Sequence, residues 1–257
     1  MTQTSTHPHA RPADETFRQT LGRLSSAQKG AARSAPAYSR FVNRRLGRVL
    51  AAWAYRRGLS PNAVTGISAL CTFSAIAMLA LVPPSILLGV AVSVLLVLGY
   101  AFDSADGQVA RLTGTGSVAG EWLDHMVDAT KVVALPLALA VGIHRFTDLD
   151  DAWLLVPLAN AVVGSVLFFG MMLTEQLRRA QGVVSRATTA GRLPWLRSVL
   201  VLPTDYGVLC LAFLLYGLPH VFVPLLGLLT LGSAGFLVLA LPKWFRDVRA
   251  LAQGAGA

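Results

Sequence analysis

Charge is what this chain has least of. Charged residues make up 14% of its 257 residues and hydrophobic ones 54%, whereas a soluble globular domain carries roughly 25% charge. That balance argues against an ordinary water-soluble domain, because the apolar residues come in long blocks rather than in the stripes of an amphipathic bundle. Cysteine is nearly absent too. Cys71 and Cys210 both lie inside apolar blocks, where they serve as small hydrophobes rather than as a disulfide framework. The first forty residues are polar and basic and hold no apolar core of the kind a signal peptide needs. No cleavable signal is therefore expected, and the first span is expected to serve as the insertion signal. No internal repeat is found.

What the chain does have is apolar segments. Six can be read, at about 62–82, 85–103, 122–144, 152–174, 204–219 and 221–241, each near the roughly 17–25 residues that cross a bilayer. The expected fold is all-α, a polytopic membrane protein with six transmembrane helices. Val82-Pro83-Pro84 and Gly217-Leu218-Pro219-His220 mark tight turns, which make hairpins of spans one and two and of spans five and six. Eleven Lys and Arg residues precede span one, and Arg111 lies between spans two and three. Arg178, Arg179, Arg186, Arg192 and Arg197 lie between spans four and five, and Lys243, Arg246 and Arg249 follow span six. The opposite side keeps little beyond Arg145. Basic loops stay cytoplasmic, so a multi-pass cell-membrane protein with both termini in the cytoplasm is expected. Trp122, Trp153 and Trp244 fall at span ends, the level of an interfacial aromatic belt.

The net charge of +9 matters less than its placement. In "YSRFVNRRLGRVLAAWAYRR", Phe41, Val42, Leu46, Val49, Leu50 and Trp53 recur at helical spacing, with arginines largely around the other faces. This reads as an interfacial helix drawn to anionic headgroups; no nucleic-acid-binding fold accompanies the charge, so no nucleic-acid partner is expected. The expected organisation is a disordered basic tail over 1–36, an amphipathic juxtamembrane helix over 37–58, a six-helix transmembrane catalytic domain over 59–245 and a C-terminal tail over 246–257.

Against this apolar background stand Asp103, Asp106, Asp124 and Asp128. Asp103 and Asp106 are three residues apart and Asp124 and Asp128 four apart, so each pair shares a helix face. If spans two and three run antiparallel, the four carboxylates converge. Each unpaired charge at a bilayer centre costs about 2.5–3.5 kcal/mol on the insertion scale, so the cluster needs neutralising, and hard oxygen ligands suit Mg²⁺, Mn²⁺ or Ca²⁺. Two such ions would balance four carboxylates. Without cysteine a zinc site is not expected, and His125 is read as a packing or headgroup-level residue that points off the shared face. Gly107 leaves the backbone bare for a ligand, Gly120 permits close helix approach or ligand access, and Arg111 offers a planar fork for a diphosphate. Together these point to phosphoryl chemistry. "GTGSVAG" lacks the spacing and the preceding strand of a dinucleotide fingerprint.

The pattern Asp103-x2-Asp106-Gly107-x2-Ala110-Arg111-x8-Gly120-x3-Asp124-x3-Asp128 resembles the full signature of the CDP-alcohol phosphotransferase family, and Pro61, Asn62 and Thr65 resemble the motif that opens the first span in many members. The resemblance implies transfer of a phosphoalcohol from a CDP-linked donor, such as CDP-diacylglycerol, to an acceptor hydroxyl with release of CMP, in phospholipid biosynthesis. It implies that Asp103, Asp106 and Asp124 hold one metal, that Asp103, Asp124 and Asp128 hold or approach the second, and that Asp128 is the general base. Asp106, Gly107 and Arg111 would line the CDP site, with Asn62 and Thr65 close to it. It also implies a homodimer, with membrane lipids and a small alcohol or phosphorylated alcohol as further partners.

Three matters stay open at this level. Lys131, on the face of Asp128, either tunes the cluster or meets a substrate phosphate, or is a buried counter-ion. The arginines between spans four and five either bind a phosphorylated acceptor or serve topology; Glu175 and Leu177 stand where inositol-phosphate-using members would place basic residues, which argues against that acceptor. Asp205 either touches the acceptor or caps a helix. A cation- or proton-coupled transporter is the alternative function, although it leaves Gly107, Arg111 and the spacing unexplained. A catalytically silent scaffold would fit better if an aspartate were missing.

Overall fold

The computed structural model describes residues 15–26, 37–183 and 202–254. They form helices α1 (Phe17–Ser26), α2 (Arg44–Arg56), α3 (Pro61–Leu81), α4 (Ile86–Thr113), α5 (Val118–Phe146), α6 (Leu155–Ala180), α7 (Tyr206–Ala212) and α8 (Pro219–Gly254). Short 3₁₀ or π turns precede α2 and α6 and follow α7. Among the described residues there is no strand, and five helices are long and apolar enough to cross a membrane. The chain is thus an all-α polytopic membrane protein. One expected span differs: 204–219 contains only the short apolar stretch Tyr206–Leu215. The helix leaves α geometry at Phe213 and gives way to the turn at Gly217, where a Cβ would lie 2.3 Å from the Ile86 amide nitrogen.

Local chemistry sets the helix ends. Ser60, Ser85 and Ser117 cap α3, α4 and α5, each hydroxyl accepting from the amide three residues on, and Pro61 starts α3 where its missing N–H costs nothing. The α4 helix stops at Gly114, whose φ of 67° lies in the left-handed region that favours glycine. The chain then reverses through residues 114–117 into α5, which places the C-terminal end of α4 beside the N-terminal end of α5. Both helices pack on α3, α5 also packs on α6, and α6 on α8.

The main core lies at the other end of this bundle, where Leu79, Leu96, Leu139, Ile143, Phe213, Tyr216 and Phe222 are buried together. A second cluster joins α2 to α4 through Ala51, Ala52, Ala54, Ala105 and Val109. The small residues of α2 thus face protein, and Leu50 packs against them, whereas Phe41, Val42, Leu46, Val49 and Trp53 remain outward, Phe41 at 56% exposure. Phe17–Ser26 was read as part of a disordered tail, yet it is helical. Leu24 is buried with Tyr55 of α2, and Glu15 joins Arg23 by an ion pair and Arg56 through its carbonyl. The pattern was too brief to register before its partner helix was known.

Candidate active site

The α4–α5 reversal brings the four aspartates to one end of the bundle. Asp106 is buried, and its carboxylate accepts a 2.6 Å hydrogen bond from the Thr65 hydroxyl of α3. Thr65 also donates toward the Pro61 carbonyl, so the start of α3 orients Asp106. Asp103 and Asp124 are both close enough to Asp106 to interact with it electrostatically. Deeper in the bundle, Asp103 and Asp128 approach each other across the helix pair, and Lys131 stands between them. Its Nζ lies 3.2 Å from an Asp103 oxygen and 2.5 Å from an Asp128 oxygen.

A cavity of about 1100 Å³ opens beside this group. Asn62, Thr65, Asp106, Gly107, Arg111, Gly120 and Asp124 all line it; Asp103 and Asp128 lie behind that wall, with Lys131. A Cβ at Gly107 would sit 3.3 Å from the Arg111 guanidinium, and one at Gly120 would sit 3.0 Å from Asn62 Oδ1. A side chain at either glycine would thus crowd a polar group on the cavity wall.

His125 departs from expectation. Its imidazole reaches back one helical turn toward Glu121, with Nε2 3.6 Å from that carboxylate. Donor atoms of Asp124, His125 and Asp128 consequently lie within 4.8 Å of one another. The ideal helix angle had turned His125 away; the length and bend of its side chain bring it back. Asp124 Oδ1 and His125 Nδ1 are buried without a hydrogen-bond partner among the described residues. Buried polar atoms normally find partners, and carboxylate oxygens with one imidazole nitrogen are competent ligands for a divalent ion. The residues fit such an ion.

Two wall residues were not singled out from the sequence as site residues. Glu121 and Glu175 both line the cavity and hold Arg179 between them. The place of Glu121 one turn before Asp124 and His125 was the available signal. Arg178 is paired with Asp247 of α8 at 2.5 Å. Of the arginines read as a possible phosphate pocket, these two therefore face carboxylates, while Arg186, Arg192 and Arg197 lie outside the described residues. Asp205 caps: it accepts from the Gly207 amide at 3.1 Å and the Tyr38 amide at 2.8 Å.

A family model for CDP-alcohol phosphatidyltransferase matches residues 59–240, more than half of the chain. The chain belongs to the CDP-alcohol phosphatidyltransferase family, which makes it a transferase by family and implies movement of a phosphatidyl group from a CDP-alcohol to an alcohol acceptor. The family is generally dependent on divalent cations. No curated protein matches the chain.

Proposed function

We propose that the protein transfers a phosphatidyl group from CDP-diacylglycerol, or a related CDP-alcohol, to a small alcohol or phosphorylated alcohol, releasing CMP in phospholipid biosynthesis. The observation that carries this reading is the cavity wall. Asp106 and Asp124 share it with Gly107, Arg111, Asn62 and Thr65, so the carboxylates and the diphosphate-sized polar surface adjoin. A transporter would need carboxylates and a path, but not this wall.

The residues on the cavity wall have tasks that their positions support, and the family signature supplies the role of Asp128. Gly107 keeps the backbone bare for the nucleotide, and Arg111 offers its fork to the phosphates. Thr65 fixes the Asp106 carboxylate. Asp128 accepts the proton of the acceptor hydroxyl, since an alcohol is a weak nucleophile at neutral pH. The acceptor oxygen then bonds to the phosphorus that carries the lipid, the bond from that phosphorus to the bridging oxygen breaks, and CMP leaves with the electron pair. Two divalent cations, Mg²⁺ or Mn²⁺, held by Asp103, Asp106, Asp124 and Asp128, would supply charge neutralisation for the diphosphate and the leaving CMP. Arginine placement supports a cytoplasmic site and cytoplasmic termini. That orientation lets nucleotide and acceptor arrive from water while acyl chains stay in lipid. Family resemblance supports a homodimer.

The test is CMP release by purified protein in detergent with CDP-diacylglycerol, Mg²⁺ or Mn²⁺, and glycerol 3-phosphate, inositol, inositol phosphate, serine or a second lipid as acceptor. Release with one acceptor is expected. No release with any of them, together with metal-independent ion flux in vesicles, would favour the transporter.

A further inference from the structure

The two halves of the carboxylate cluster are neutralised differently. Asp106 has neutral hydrogen-bond partners, the Thr65 hydroxyl and the Gly107 amide, with the Arg111 guanidinium near enough to act on it electrostatically, and Asp124 keeps a buried oxygen without a hydrogen-bond partner among the described residues. Asp103 and Asp128 have an ammonium instead. Lys131 sits one turn beyond Asp128 on α5 and reaches across to Asp103 on α4, and its side chain is only 8% exposed. Two carboxylates facing each other at low dielectric repel strongly, and here the Lys131 ammonium stands between them.

We propose that Lys131 is a built-in cation of the cluster, which competes with the second divalent ion for Asp103 and Asp128. This inference rests on the reading of the aspartates as metal ligands. The Asp106–Asp124 half is open to a first ion, because among the described residues neither carboxylate is ion-paired with a lysine or arginine and an Asp124 oxygen lacks a hydrogen-bond partner. A second ion that uses Asp103 and Asp128 must take the place where Nζ stands. Lysine suits a displaceable role. Its charge is compact and rides on a flexible stem, whereas an arginine fork would grip both carboxylates at once. A place to withdraw is also at hand, because the Tyr206 ring centroid is 5.3 Å from Nζ and an aromatic face attracts an ammonium. Lys131 would thereby keep the empty site intact and make the second metal weaker than the first.

The experiment is Mn²⁺ binding to the full-length protein in detergent without substrates, read from the electron paramagnetic resonance signal of free Mn²⁺. The wild type is expected to show a tighter and a weaker class of site. In Lys131→Met the weaker class should tighten by roughly tenfold or more, since a competing charge is gone. In Lys131→Arg, which keeps the charge, that class should weaken or vanish. An unchanged or weakened second class in Lys131→Met, or an unchanged one in Lys131→Arg, overturns the proposal while leaving the metal reading intact. Absence of Mn²⁺ binding in the wild type would overturn both.

Discussion

At one end of the bundle α3, α4 and α5 close around Phe213, Tyr216 and Phe222; at the other, residues of α3, α4, α5 and α6 line a cavity. The closed end packs the rings of Phe213, Tyr216 and Phe222 at centroid distances of 5.0–6.2 Å. Space there is tight enough that a Cβ on Gly142 would lie 2.1 Å from the Leu79 carbonyl oxygen. The open end holds Asp103, Asp106, Asp124 and Asp128, with Lys131 the one lysine paired to them among the described residues, beside a cavity of about 1100 Å³. Helices in lipid associate through close packing rather than through apolar burial from water. The closed end therefore stabilises the bundle and allows the open end to keep charges that, left unpaired, work against folding.

Substitutions can break that division of labour. The largest effect is expected at the open end. Asp128→Asn removes the proposed base while Lys131 still has Asp103, so turnover should fall by roughly 10²–10⁴ with donor binding largely kept. CMP release and donor-binding measurements check this, and an equal loss of donor affinity would move Asp128 to the donor site. Next comes Thr65→Val, which frees the buried Asp106 carboxylate from its 2.6 Å bond. Hydrogen bonds to charged groups contribute about 1.5–3 kcal/mol, so the donor KM should rise roughly tenfold to hundredfold, with a smaller change in kcat.

The closed end should respond in the opposite sense. Phe213→Ala leaves its apolar surface in lipid rather than water on unfolding, so the cavity term dominates. At about 24 cal/mol per Å³ of void, a hole of roughly 100 Å³ costs about 2 kcal/mol. The unfolding temperature in detergent should drop while donor KM stays near the wild-type value. A large change in KM would show that the two ends are coupled and that the closed end shapes the site directly.

The two ends differed in how much the sequence disclosed. The aspartate spacing and the Gly114-to-Ser117 break were enough to expect α4 and α5 to reverse and their carboxylates to converge, because both features are local. The fifth span was legible as an apolar segment, but hydropathy counts apolar residues and not helix geometry: the described helix there is the short stretch Tyr206–Leu215, which ends while the sequence stays apolar to Gly217. Lys131 was visible as a neighbour of Asp128 through its i,i+3 spacing. Its second partner, Asp103, is twenty-eight residues away and appears only once α4 and α5 are both packed on α3.

The smallest effect tests a residue outside both ends. Asp205 is 1% exposed and accepts from the Gly207 amide and from Tyr38, so one carboxylate ties the start of α7 to the start of the juxtamembrane segment. Gly207 lets the Tyr38 ring approach, since a Cβ there would fall 1.9 Å from a ring carbon. Removing an N-cap costs about 1 kcal/mol, so Asp205→Ala should lower the unfolding temperature modestly and leave kcat nearly unchanged. Asp205→Asn keeps an acceptor oxygen and should recover most of the loss. A raised acceptor KM in both variants at undiminished stability would instead place Asp205 against the acceptor, and would extend the open end into a region now assigned to structure.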